Sequence, residues 1–149
     1  MKVTFYSNFL THHQVPFCLS MQEKLGSDFK FVSTMPIFQW RLDMGFKDLD
    51  KEYDFVVRAY ESDEMYNEAK KLAMESDIVI IGSTTDELIE ERLKQDKITF
   101  RYRSRIFQFV DGYIKTIFNK EKLKLLYTRH LKYKKNKNLY LLCANAYGA

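Results

Sequence analysis

Between Asp77 and Gly82 four β-branched apolar residues, Ile-Val-Ile-Ile, follow one another without a polar break. A strand wetted on one face alternates apolar and polar side chains, whereas an unbroken run belongs to a parallel strand covered on both faces. Parallel neighbours cannot be joined by a hairpin and need crossovers, usually helical. The chain supplies them. Residues 2–7 form a short β-rich run, and a helical pattern follows from about His13 to Leu25, with Gly26 as its stop. Residues 28–34 read as a second strand and 53–59 as a third, separated by an irregular stretch with Pro36, Trp40 and Gly45. Residues 61–76 make an amphipathic helix with Met65, Ala69, Leu72 and Ala73 on one face and Ser62 as its N-cap. After the apolar run come a short helix over 86–95, a fifth strand over 97–102 and a sixth over 138–143. The expected fold class is α/β: a Rossmann-like, doubly wound, mostly parallel six-stranded sheet with helices on both faces.

The length of 149 residues suits one domain spanning the whole chain, and five glycines and two prolines leave little for linkers. No apolar stretch is long enough for a bilayer span and the N-terminus has no signal-peptide pattern, so a cytoplasmic protein is expected. Cys18 and Cys143 lack the C-x-x-C spacing of redox and metal sites and read as reduced packing thiols. The net charge of +4 hides an asymmetry. Residues 105–137 carry ten Lys/Arg against Asp111 and Glu121, a net of +8, so the remainder carries −4. A basic segment on an acidic domain points to an anionic partner.

No G-x-G-x-x-G, Walker-type loop, G-x-S-x-G elbow or metal-spaced cluster is present, which argues against dinucleotide enzymes, hydrolases and metalloenzymes. In a doubly wound sheet ligands bind beyond the carboxyl ends of the strands, where strand order reverses. Three segments fall there. Asn8-Phe-Leu-Thr-His-His-Gln14 places His12 and His13 at a helix N-terminus, whose dipole favours neutral rings able to hydrogen-bond or accept a proton. The plainer reading has Thr11 capping the helix and the histidines at the surface. Ser83 and Thr84 follow the fourth strand and suit a phosphate or sugar hydroxyl, or else Ser83 or Thr85 is an ordinary cap. Arg101, Arg103 and Arg105 alternate at the end of the fifth strand, as forks for a diphosphate or as a solvated edge. In the long helical stretch after residue 104, Lys120, Lys122 and Lys124 mix with Phe, Leu and Tyr. That mixture suits contact with an anionic membrane surface or a core helix with a solvated back, and it lacks a nucleic-acid reading module.

Taken in order, N-F-L-T-H-H-Q-V-P-F, Q-W-R-L-D-M-G-F at 39–46, I-I-G-S at 80–83, E-R-L-K-Q-D-K-I-T-F-R-Y-R-S-R at 91–105 and Y-L-L-C-A-N-A-Y resemble the N-terminal half of bacterial GT-B glycosyltransferases of the glycosyltransferase-4 group, found among surface-polysaccharide enzymes. The resemblance implies a Rossmann-like, acceptor-side domain that moves a sugar from a nucleotide-sugar donor to a glycan or lipid-linked acceptor, with no cofactor, no metal and no nucleic acid. It implies that the stretch with His12, His13 and Gln14 faces the donor sugar and acceptor, with a neutral histidine in a catalytic role; on the reading of the strand ends, Asn8, Ser83, Thr84, Arg101, Arg103 and Arg105 would join Gln14 in acceptor or phosphate contacts. Lys120, Lys122 and Lys124 would rest on the inner face of the cell membrane. The E-x7-E element of the donor half has no counterpart in this chain. A C-terminal donor-binding domain is therefore expected beyond residue 149, with this half inactive alone. Two alternatives stand beside it: a stand-alone flavodoxin-like binding or regulatory module, and an unrelated phosphate-ester transferase.

Overall fold

The computed structural model describes residues 1–84, 87–103 and 136–143. Six strands, β1 (Val3–Ser7), β2 (Phe29–Ser33), β3 (Val56–Arg58), β4 (Ile78–Ile81), β5 (Thr99–Arg103) and β6 (Leu139–Cys143), form one sheet in the order β3-β2-β1-β4-β5-β6. All five pairings are parallel. This is the Rossmann order, not the 2-1-3-4-5 order of flavodoxin-like sheets. The helices are α1 (Val15–Leu25), α2 (Gln39–Asp43), α3 (Asp63–Glu75) and α4 (Glu90–Lys94). Among the described residues no helix is long and apolar enough to cross a membrane.

The unbroken apolar run becomes β4, and the period of two sends its residues to opposite sides. Ile80 joins Val3, Phe5, Phe29, Phe31 and Cys18 under α1, while Val79 and Ile81 join Tyr6, Val32, Ala69, Ala73 and Leu93 under α3 and α4. Both sides of the strand are covered. Phe5 meets Phe31 edge to face at 5.2 Å between centroids, the geometry that the ring quadrupoles favour.

α3 begins as expected: the Ser62 side chain accepts from the Met65 N–H at 3.2 Å, and Asp63 and Glu64 occupy its first turn. Its buried residues are alanines, small enough to let the helix lie close to the sheet. The Tyr6 hydroxyl reaches across and donates to the Ala69 carbonyl at 2.6 Å. Phe29–Ser33 and Val56–Arg58 are shorter than expected from sequence, β3 being an edge strand of three residues.

Four details depart from the sequence reading. α1 starts at Val15 rather than His13, because residues 11–14 close a turn in which the Gln14 and Val15 N–H groups both donate to the Thr11 carbonyl. Gln14 is the N-cap and makes no side-chain cap bond, so Thr11 does not cap the helix. The helix expected over 86–95 shrinks to Glu90–Lys94, with a turn over 87–89 before it. Consecutive Leu88 and Ile89 are both buried in the α3-side core, and the turn aims both inward. The stretch between β2 and β3 holds α2 and a 3₁₀ turn at Leu49–Lys51.

Candidate functional site

Strand order reverses between β1 and β4. α1 leads out of β1 on one side of the sheet and α3 leads into β4 on the other, which makes their carboxyl ends the point where doubly wound sheets form a ligand crevice. Gly82 closes its floor. Its N–H donates to the Tyr6 carbonyl at 2.7 Å, and a Cβ there would lie 3.1 Å from that carbonyl, 3.1 Å from Phe5 Cε2 and 3.2 Å from Ser7 Oγ. A side chain here would force its neighbours to give by a few tenths of an ångström.

Around the floor the polar groups brace one another. Gln14 Oε1 accepts from the Thr11 N–H at 3.0 Å and from the Thr11 hydroxyl at 2.9 Å, while Gln14 Nε2 donates to Ser7 Oγ at 3.2 Å. Gln14 thus ties the loop after β1 to the strand it leaves. The Thr84 hydroxyl donates to Thr34 Oγ1 at 3.1 Å, linking the ends of β4 and β2 over β1. Ser83 is exposed, and Asn8 is half-buried with its carbonyl accepting from the Met35 N–H at 2.9 Å. Arg101 is half-buried on β5 in register with Ile81, one residue before Gly82 on the neighbouring strand. The Arg103 side chain, Arg105, Lys120, Lys122 and Lys124 lie outside the described residues, as do Thr85 and the basic stretch that follows β5.

His12 and His13 are both exposed, with ring centroids 3.7 Å apart. They sit in the turn ahead of α1, not in its first turn. The two part company in what they face. His12 lies at 6.2 Å from the Phe46 ring, nearly parallel to it, and forms part of the wall of a pocket of about 400 Å³; His13 does not belong to that wall. The pocket lies between residues 9–12 and the segment that carries Ile37, Arg41, Phe46 and Lys47. Arg41 occupies an aromatic cage, its guanidinium carbon 5.3 Å from the Phe9 ring, 5.0 Å from Trp40 and 5.7 Å from Phe46. Phe38, Trp40, Met44 and Phe46 are all exposed beside it.

Asp50 is the structural support that sequence reading missed. It is buried in the 3₁₀ turn after α2, and its Oδ1 accepts from the Leu10 N–H at 2.8 Å, pinning the loop that carries His12. Burial pushes its carboxyl above the ordinary range, with the Leu10 N–H pulling the other way. Nothing in the polar run Lys-Asp-Leu-Asp-Lys marks one aspartate as buried. Arg41 and Phe46 stood out only as parts of the Q-W-R-L-D-M-G-F segment within an irregular stretch, with no site role given to either.

The chain matches no protein-family model, no curated protein and no solved structure. The strand ends present one imidazole on a pocket wall, a guanidinium among three rings and exposed aromatic side chains on the β2 side, and hydroxyls around a glycine at β1 and β4.

Proposed function

We propose that this domain is the acceptor-side half of a GT-B glycosyltransferase, which moves a sugar from a nucleotide-sugar donor to a glycan or lipid-linked acceptor. The observation that carries the reading is His12 on the wall of an open pocket of about 400 Å³, between the loop after β1 and the segment after β2 at the carboxyl ends of the strands, facing the exposed ring of Phe46. Aromatic faces suit the apolar C–H faces of sugar rings, and an imidazole suits a sugar hydroxyl. In the transfer step His12 takes the proton of the acceptor hydroxyl as its oxygen bonds to the anomeric carbon. The donor's C–O bond breaks and the nucleoside diphosphate leaves with the electron pair. Positioned general-base help of this kind contributes about 10²–10⁴ in rate.

No glycine-rich phosphate loop follows β1, which favours a donor held by a second, C-terminal domain. Thr84, Ser83 and Arg101 then face the phosphates across the cleft, and Lys120, Lys122 and Lys124 dock on an anionic inner membrane surface. The same chain presented to an array of immobilised glycans tests the reading. Retention of a glycan by the wild type and its loss in Phe46→Ala support it, and no retention on any glycan overturns it. In the donor-competent protein His12→Ala is expected to keep acceptor binding and to lower transfer by about 10²–10⁴.

A further inference from the structure

The Arg41 guanidinium is fastened without being neutralised. Three rings surround it at 5.0–5.7 Å, which holds a cation through the ring quadrupoles but leaves its charge and its hydrogen-bond donors unspent. Its Nε is buried with no protein acceptor, and among the described residues no carboxylate pairs with it. The acids that follow it in the chain have other partners: Asp43 accepts from Gln39, Asp48 pairs through Oδ2 with Lys51 while its Oδ1 is buried without a hydrogen-bond partner, Glu52 pairs with Lys47, and Asp50 holds the Leu10 N–H. Among the described residues the half-buried Arg41 therefore has three ring faces beside its guanidinium and no ion-pair partner.

The pocket beside it agrees. Its wall includes Arg41, Lys47 and His12 and no carboxylate, while Phe9, Leu10, Ile37, Phe46 and Leu49 make the rest of it mostly apolar. Open to solvent on one side, at about 400 Å³ it falls in the size range of small-ligand clefts. A bare inorganic anion would leave the apolar wall in water, and a neutral ligand would desolvate the guanidinium without satisfying it.

We infer that the pocket between the loop after β1 and α2 is an organic-anion site, in which Arg41 takes a phosphate or carboxylate group and the rings beside it take the ligand's apolar body. The planar fork of the guanidinium matches either oxyanion with two parallel hydrogen bonds. The inference narrows the ligand of the rim proposed above and rests on that reading for its place in a transfer reaction; binding itself does not depend on it.

Trp40 is the sole tryptophan of the chain and packs on Arg41, so its indole N–H gives a single, site-specific NMR signal. The wild-type chain is titrated with phenyl phosphate, benzoate, inorganic phosphate and benzyl alcohol. The expected result is a saturable shift with at least one of the two aromatic anions, at a Kd about tenfold or more below those of inorganic phosphate and benzyl alcohol. Phenyl phosphate and benzoate tell a phosphate site from a carboxylate site. Arg41→Gln should raise the Kd for the preferred anion about tenfold or more, since a hydrogen bond to a charged group is worth about 1.5–3 kcal/mol. If circular dichroism shows Arg41→Gln to be unfolded, Arg41→Lys, which keeps the charge and loses the fork, should still weaken binding. Three results overturn the inference: no saturable shift with either aromatic anion, equal binding of benzyl alcohol or inorganic phosphate, or a folded Arg41→Gln whose Kd stays within about twofold of the wild type. A failed glycan array alongside a saturable anion shift would remove the transferase reading and leave the anion site standing.

Discussion

The Arg92 guanidinium donates to the Ser76 carbonyl at 2.6 Å, from a side chain with no solvent exposure. Four more bonds complete its fork, to the carbonyls of Ala73, Asp77 and Ile98 and to the Thr99 hydroxyl. It thereby clamps the end of α3 to the entrances of β4 and β5. Arg92→Met keeps the length of the chain but strands these buried acceptors, each worth about 1–3 kcal/mol when left unmade. The expected loss is about 3 kcal/mol or more in urea unfolding, and a loss within the about 0.5 kcal/mol typical of surface substitutions would refute the clamp.

Gly82 cannot accept a side chain without moving β1. The Tyr6 carbonyl, 3.1 Å from the position of a Cβ, is backbone and is held in the sheet. Gly82→Ala should lower stability by about 1–3 kcal/mol, the usual cost of overpacking, and disturb the Gln14–Ser7 hydrogen bond at the same floor. Thermal melting gives the first and the side-chain amide NMR signal of Gln14 the second.

Asp50 should leave a mark on stability against pH. Because burial raises its carboxyl above the ordinary 3.8, the folded chain holds this proton more tightly than the unfolded chain. Between the ordinary value and the raised one the folded state binds more protons, so the contribution of Asp50 falls as pH climbs through that window and levels off above it. Asp50→Asn keeps an oxygen for the Leu10 N–H and cannot ionise. Its stability relative to the wild type should rise with pH through the window, read from urea midpoints between about pH 3 and pH 7. A difference independent of pH would contradict this. Asp50→Ala strands the Leu10 N–H and should cost about 1–3 kcal/mol.

Cys18 is wholly buried and its thiol is pushed up to about 12 by desolvation. Reaction needs the thiolate, so a maleimide probe at neutral pH should reach Cys18 only when the fold opens. Peptide mapping after labelling is expected to find it unmodified in the native chain and modified in urea. Prompt native labelling would show that α1 leaves the sheet far more readily than its packing implies.

The sheet was legible because its signals are local. The Ile78–Ile81 run can only satisfy both its faces inside a covered parallel sheet, and the α3 stripe of Met65, Ala69, Leu72 and Ala73 repeats at the helical period. Ser62 announces its own helix because a cap bonds three residues ahead. The start of α1 was less legible. A histidine pair gives no sign that the next residue, Gln14, will fold its amide back onto Thr11 and Ser7 and delay the helix to Val15.

What the sequence determined by itself is the class of sheet and its strand and helix succession, since periodicity and the chemistry of parallel pairing operate between near neighbours. Tertiary structure alone decided that His12 rather than His13 faces the pocket, that Asp50 pins the loop beneath it, and that Arg41 stands among Phe9, Trp40 and Phe46 with no carboxylate partner among the described residues. These groups come from the loop after β1 and from the irregular stretch after β2, about 30 to 40 residues apart, where no periodic pattern operates. Burial, partner and orientation there are set by how two crossovers pack at one end of the sheet, and that is a property of the folded chain.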